Sequence, residues 1–143
     1  MAPAPSSGPP RPAAFIDRDG VINEERDYTW RTEDFLLLPG VVLGLQTLQA
    51  AGYALVVVTN QAGIARGYYT EADYQVLTAH MQALLAGQGV QLSGVYHCPH
   101  HAEAGIGAYR VRCNCRKPRP GLLLQAASDL KLDLARSFIV GDK

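Results

Sequence analysis

The chain has 143 residues, 48% of them hydrophobic and 18% charged, the balance of a single globular domain with a core of its own. Thirteen basic side chains meet thirteen acidic ones, so the formal net charge is zero. That balance excludes the basic excess of nucleic-acid and anionic-membrane binders, and the apolar runs are too short to span a bilayer.

Residues 1–12 are Pro, Ala, Ser and Gly around a single Arg11, and are expected to be a disordered leader outside the fold. Residues 13–16 form a short apolar run that stops at Asp17, as a buried strand does when it delivers acids at its end. Residues 23–34 are polar, with Tyr28 and Trp30 interleaved, and read as a loop. Pro39-Gly40 opens a helix with Val41, Val42, Leu45 and Leu48 at helical spacing, stopped by Gly52. A β-branched strand follows over 54–58, then a helix from an N-cap at Thr70 to about Leu85. A third strand is expected over 94–97, a third helix over 120–130, and a fourth strand over 137–140 ending in Gly141-Asp142.

Strands alternating with helices imply an α/β fold, a Rossmann-like, mostly parallel sheet with helices on both faces. Three strands finish in polar residues, Asp17, Thr59 and Asp142, at the C-terminal ends where such a sheet holds its ligand. One carboxylate of Asp17-Arg18-Asp19-Gly20 can attack phosphorus while the other shuttles a proton, and a hard divalent cation would neutralise the charge they gather. Alone, the same four residues also suit an exposed turn or a calcium loop. Thr59, the amides of Asn60 and Gln61, Lys117 and Arg116 add groups suited to phosphoryl oxygens, and Asp142 adds a further acid.

Together these motifs resemble the haloacid dehalogenase superfamily of phosphotransferases. The resemblance implies Asp17 as nucleophile, Asp19 as proton donor and later base, and Thr59 and Lys117 as stabilisers of the transferring phosphoryl group. It also implies magnesium on Asp17, Asp19 and Asp142.

The three cysteines, two of them one residue apart, make a poor disulfide framework. With no secretion signal, they point to the reducing cytoplasm, where clustered thiols hold metal. Cys98-Pro99-His100 and Cys113-Asn114-Cys115 supply three thiolates and one imidazole, a closed structural zinc set, with His97 or His101 as alternative nitrogen donors. Such a site would pin a long loop leading straight into Arg116 and Lys117.

With this loop, the stretch from Phe15 to Lys143 resembles the D-glycero-D-manno-heptose-1,7-bisphosphate 7-phosphatase family of heptose and lipopolysaccharide-core synthesis. The matching runs are 15–23, 56–67, 98–101, 113–121 and 140–143. The resemblance implies no large cap domain, and substrate contacts from Glu25, Arg26, Asp27, Tyr28, Asn60, Gln61, Ala62, Arg116 and Lys143. It implies a monomer acting on a small sugar phosphate, with no nucleic-acid or membrane partner. The related histidinol-phosphate phosphatase is the alternative, but its zinc loop is shorter than the twelve residues of 101–112 here. Family members continue through a further helix and strand past Gly-Asp-Lys. The chain is therefore expected to expose an edge at its fourth strand, to lose stability and turnover, or to be an inactive zinc-stapled fragment.

Overall fold

The computed structural model describes residues 9–26 and 28–141. Four strands, β1 (Ala13–Ile16), β2 (Ala54–Asn60), β3 (Gly94–Cys98) and β4 (Phe138–Val140), form one parallel sheet in the order β3-β2-β1-β4. Among the described residues the α-helices are α1 (Val41–Ala50), α2 (Ala62–Ala65), α3 (Glu71–Ala86) and α4 (Gly121–Leu130).

Side-chain alternation along the two central strands builds both layers. Ala14 and Ile16 of β1, with Leu55 and Val57 of β2, pack against Leu45 of α1 and Leu77, Met81 and Leu85 of α3. Their neighbours Ala13, Phe15, Ala54, Val56 and Val58 point the other way, onto Leu122, Ala126 and Leu130 of α4. Every residue of β1 is therefore buried, as its unbroken apolar run requires. Gly40, at φ 80°, makes the left-handed entry into α1 that a side chain would disfavour. At α3 the Thr70 hydroxyl accepts from Asp73 N (3.1 Å) while Asp73 Oδ2 accepts from Thr70 N (2.9 Å), a reciprocal cap.

Some boundaries differ from expectation. β2 runs on to Asn60 because Thr59 and Asn60 pair with His97 and Cys98, which also carries β3 one residue further. The amide-rich stretch after β2 winds into α2. Part of the expected leader is fixed: Arg11 pairs with Leu132, and Arg136 Nη2 donates to Pro10 O (2.9 Å). These backbone groups have partners, so residues 10–12 belong to the fold; residues 1–8 lie outside those described.

β4 forms the outer edge, and Phe138, Ile139 and Val140 are all exposed. Beside it, Val41, Leu45, Leu48 and Val140 line an open apolar cavity of about 560 Å³. No described helix is long and apolar enough to cross a membrane.

Candidate active site

Strand order reverses between β1 and β4, and Asp17 and Asp19 stand at that switch, past the C-terminal end of β1. Asp17 N donates to Val140 O (3.0 Å), prolonging the β1–β4 ladder and fixing the first acid beside β4. Asp17 Oδ1 accepts from Arg18 N (2.8 Å) and lies 3.1 Å from Lys117 Nζ. The same ammonium donates to Val58 O (3.0 Å) at the end of β2. Asn60 holds the backbone behind it: Oδ1 accepts from Lys117 N (2.9 Å) and Nδ2 donates to Lys117 O (3.2 Å). A lysine distant in sequence is thus clamped to Asp17 by the end of β2.

Asp19 sits in a fork. Arg18 Nε and Nη2 donate to its two oxygens (2.9 and 3.0 Å), Asn23 Nδ2 adds a third hydrogen (3.0 Å), and Gln61 Nε2 a fourth (3.3 Å). Arg18 itself is buried, and Nη2 also donates to Thr29 O (2.9 Å). A buried guanidinium with a bidentate carboxylate partner is a rigid arrangement.

These residues open into a cavity of about 800 Å³. Asp17, Asp19, Thr59 and Lys117 line it together with Asn60, Gln61 and Ala62. Glu25, Arg26, Tyr28 and Arg116 also line it. Asp27, Asp142 and Lys143 lie outside the described residues, although Gly141, next to Asp142, reaches the cavity. Arg119 and Tyr69 also line it, and sequence reasoning passed over both. Arg119 could have been found as a third cation in the run after Cys115, whereas Tyr69 carries no local signal. Arg18 was legible as a lone cation between two acids. Gln61 is only 2% exposed, and its amide is bound on every side.

Next to the cavity, Cys98, His100, Cys113 and Cys115 converge, with all their ligand atoms within 4.8 Å of one another. His100 Nδ1 lies 3.3 Å from Cys115 Sγ, and Cys98 Sγ 3.4 Å from Cys113 Sγ. The other candidate imidazoles are engaged elsewhere. His97 Nε2 donates to Glu71 Oε1 (3.0 Å), and His101 Nδ1 accepts from Glu103 N and Ala104 N. Burial pushes the Cys98 thiol up. Burial also raises Cys113, but hydrogen bonds with Cys115 and Cys98 outweigh it and bring that thiol down to about 6. A low thiol and three soft sulfurs around one imidazole are a donor set that zinc fits. Gln61 N donates to Cys98 O (2.8 Å), tying this cluster to the end of β2. Glu71, at the start of α3, holds the loop from outside through His97 and through Tyr109 OH, which donates to its Oε2 (3.0 Å).

Residues 14–143 match the family model of the polynucleotide kinase 3 phosphatases. A curated relative, the D-glycero-β-D-manno-heptose-1,7-bisphosphate 7-phosphatase of Vibrio cholerae, is 50% identical over 133 residues, 93% of this chain and 72% of its own. The chain belongs to the heptose-1,7-bisphosphate 7-phosphatase family. Among solved structures, a HAD-like phosphatase of Mesorhizobium loti superposes with a TM-score of 0.91 at 39% identity, covering 99% of this chain and 69% of that one. The D,D-heptose 1,7-bisphosphate phosphatase of B. bronchiseptica, complexed with magnesium and phosphate, gives 0.79 at 32% identity, covering 92% and 70%. As a member of this family the chain is a phosphoric monoester hydrolase with the haloacid dehalogenase fold.

Proposed function

We propose that this phosphatase removes the C7 phosphate of D-glycero-β-D-manno-heptose 1,7-bisphosphate in the cytoplasm, during synthesis of heptose precursors of the lipopolysaccharide core. The observation that carries the reading is the Asp17–Lys117 contact of 3.1 Å in a cavity that Arg116 and Arg119 also line. The named function of the Vibrio cholerae relative supports the substrate and its anomer.

An Asp17 carboxylate oxygen attacks phosphorus, and the bond from phosphorus to the C7 oxygen breaks. Asp19 gives its proton to that leaving oxygen. Water then attacks the aspartyl-phosphate while Asp19 takes the water's proton, which frees inorganic phosphate and restores the Asp17 carboxylate. Lys117 and the Thr59 hydroxyl face the charge that builds on the phosphoryl oxygens. Asp17 and Asp19 are hard oxygen donors that fit magnesium, with Asp142 as the third acid. When bound, that ion supplies positive charge against the phosphate and the two carboxylates. The cysteine–histidine set would hold zinc in a structural role and keep Arg116 in place.

Phosphate release from the heptose bisphosphate, with magnesium and zinc supplied, tests the reading. Asp17→Asn should lower kcat by at least about 1,000-fold while leaving zinc content and circular dichroism unchanged. Faster release from histidinol phosphate than from the heptose would overturn the substrate and keep the chemistry.

A further inference from the structure

The side chain of Gln61 lies inside the protein, yet it touches two residues of the reaction. Its Oε1 accepts from Arg18 Nη2 (3.2 Å) and from Tyr69 OH. Its Nε2 donates to Thr59 Oγ1 (2.9 Å) and to Asp19 Oδ2 (3.3 Å). The Arg18 guanidinium offers only donors, so the amide oxygen must face it and the amide can sit only one way round. That orientation has a chemical consequence. With the amide hydrogen already on its oxygen, the Thr59 hydroxyl keeps its own proton to give away. Its present acceptor, Asn60 O at 3.5 Å, is too distant to hold that proton firmly.

Tyr69 fixes the arrangement from behind. It is 5% exposed, and burial pushes its phenol far above the ordinary value, so it stays protonated and donates. Its ring lies directly against Gly63 in α2, where an added Cβ would overlap it and press on Tyr28 as well. The short helix after β2 thus has a glycine at the point of closest approach to the phenol.

We propose that Gln61, braced by Tyr69, is a positioning residue that points the Thr59 proton at the phosphoryl group and holds the Asp19 carboxylate in place, without touching substrate. The proposal rests on the phosphatase reading of Asp17, Asp19 and Thr59. It predicts that losses appear in the chemical step and that Gln61 and Thr59 act as one unit.

Gln61→Glu keeps the shape but removes both donated hydrogens. It should lower kcat by about 100-fold with KM within about threefold, the signature of an interaction realised in the transition state. In a Thr59→Val background the same change should lose only about tenfold, because the shared part is already gone. Tyr69→Phe, which removes one hydroxyl and spares the fold should Gln61→Glu fail to fold, should lower kcat by about tenfold at unchanged KM. Gly63→Ala should reproduce the Tyr69→Phe loss by displacing the ring. A raised KM at unchanged kcat would make Gln61 a substrate contact and overturn the proposal, as would fully additive losses with Thr59→Val. If the unaltered chain hydrolyses another phosphate ester but not the heptose bisphosphate, only the substrate assignment fails, and the kcat ratios on that ester still decide. If it hydrolyses none, the affinity for orthovanadate decides: a loss of about tenfold in Gln61→Glu supports the positioning role, and an unchanged affinity ends it.

Discussion

The amide of Asn60 shows how a single side chain can serve the site from outside the chemistry. It grips both backbone groups of Lys117, at 2.9 and 3.2 Å, and so sets where the ammonium meets Asp17. Asn60→Ala removes both bonds while leaving every charged group present. Stability is expected to fall by about 1–2 kcal/mol, read by urea denaturation, and kcat by about tenfold as Lys117 drifts from Asp17. A loss of stability with full turnover would show that Pro118 and Val58 hold the lysine without Asn60. The acids, Thr59 and Lys117 were legible because each ends a strand or follows a cysteine in a recognisable run. Tyr69 is not legible in the same way, because it lies in no run that requires a phenol at that position.

Among the elements, α3 was predicted from its cap and is held by it: the Thr70–Asp73 reciprocal bonds satisfy donors that a helix start would otherwise leave bare. Thr70→Ala should cost about 1 kcal/mol, a drop of about 2–5 °C in Tm by calorimetry. The same helix start carries Glu71, whose carboxyl is held below its ordinary value by the hydrogen bond from His97 and then by that from Tyr109. Its folded value lies below its unfolded one of about 4.3, so its contribution is complete above that pH and is lost as pH falls through the folded value. The group is nearly half exposed, 46%, and solvent screening keeps the effect below about 1 kcal/mol. Melting curves from about pH 6 to pH 3 should converge for the parent and Glu71→Gln at the acid end and separate above it, with the parent higher. Parallel curves would mean that the tether is uncharged packing. By contrast, α2 was invisible in the sequence, since four residues give no period and its backbone is stabilised by what surrounds it.

For the molecule as a whole, the cysteine–histidine cluster and the active-site cavity meet through β2 and β3. Cys98 ends β3, accepts from Gln61 N, and packs on the α4 side of the core together with Cys113 and Cys115. Chelation of the zinc-loaded protein is therefore expected to loosen more than the loop. Limited proteolysis should cut within 99–112, Tm should fall by several degrees, about 2–4 kcal/mol of stabilisation, and turnover should decline as Arg116 and Lys117 lose their support. Unchanged proteolysis and Tm after the metal has been removed would end the structural role.

Taken alone, the sequence determined the order of the strands and longer helices, the α/β plan with helices on both faces of the sheet, the acids after β1 and the metal-binding residue types. Those features are local: they follow from side-chain period, caps and the chemistry of neighbouring residues. Tertiary structure brings His100, the imidazole the sequence puts first, to the three thiols and engages the alternatives elsewhere, His97 with Glu71 and Tyr74 and His101 in its own turn. It alone turned Gln61 inward, since the partners that claim its amide come from the loop after β1, from the end of β2 and from the residue before the α3 cap. It also drew Pro10 and Arg11 into the fold through contacts with Lys131, Asp133 and Arg136, more than a hundred positions away. The reason is the same in each case: hydrogen-bond partners far apart in sequence leave no periodic trace in it, and only close packing brings the donors and acceptors face to face.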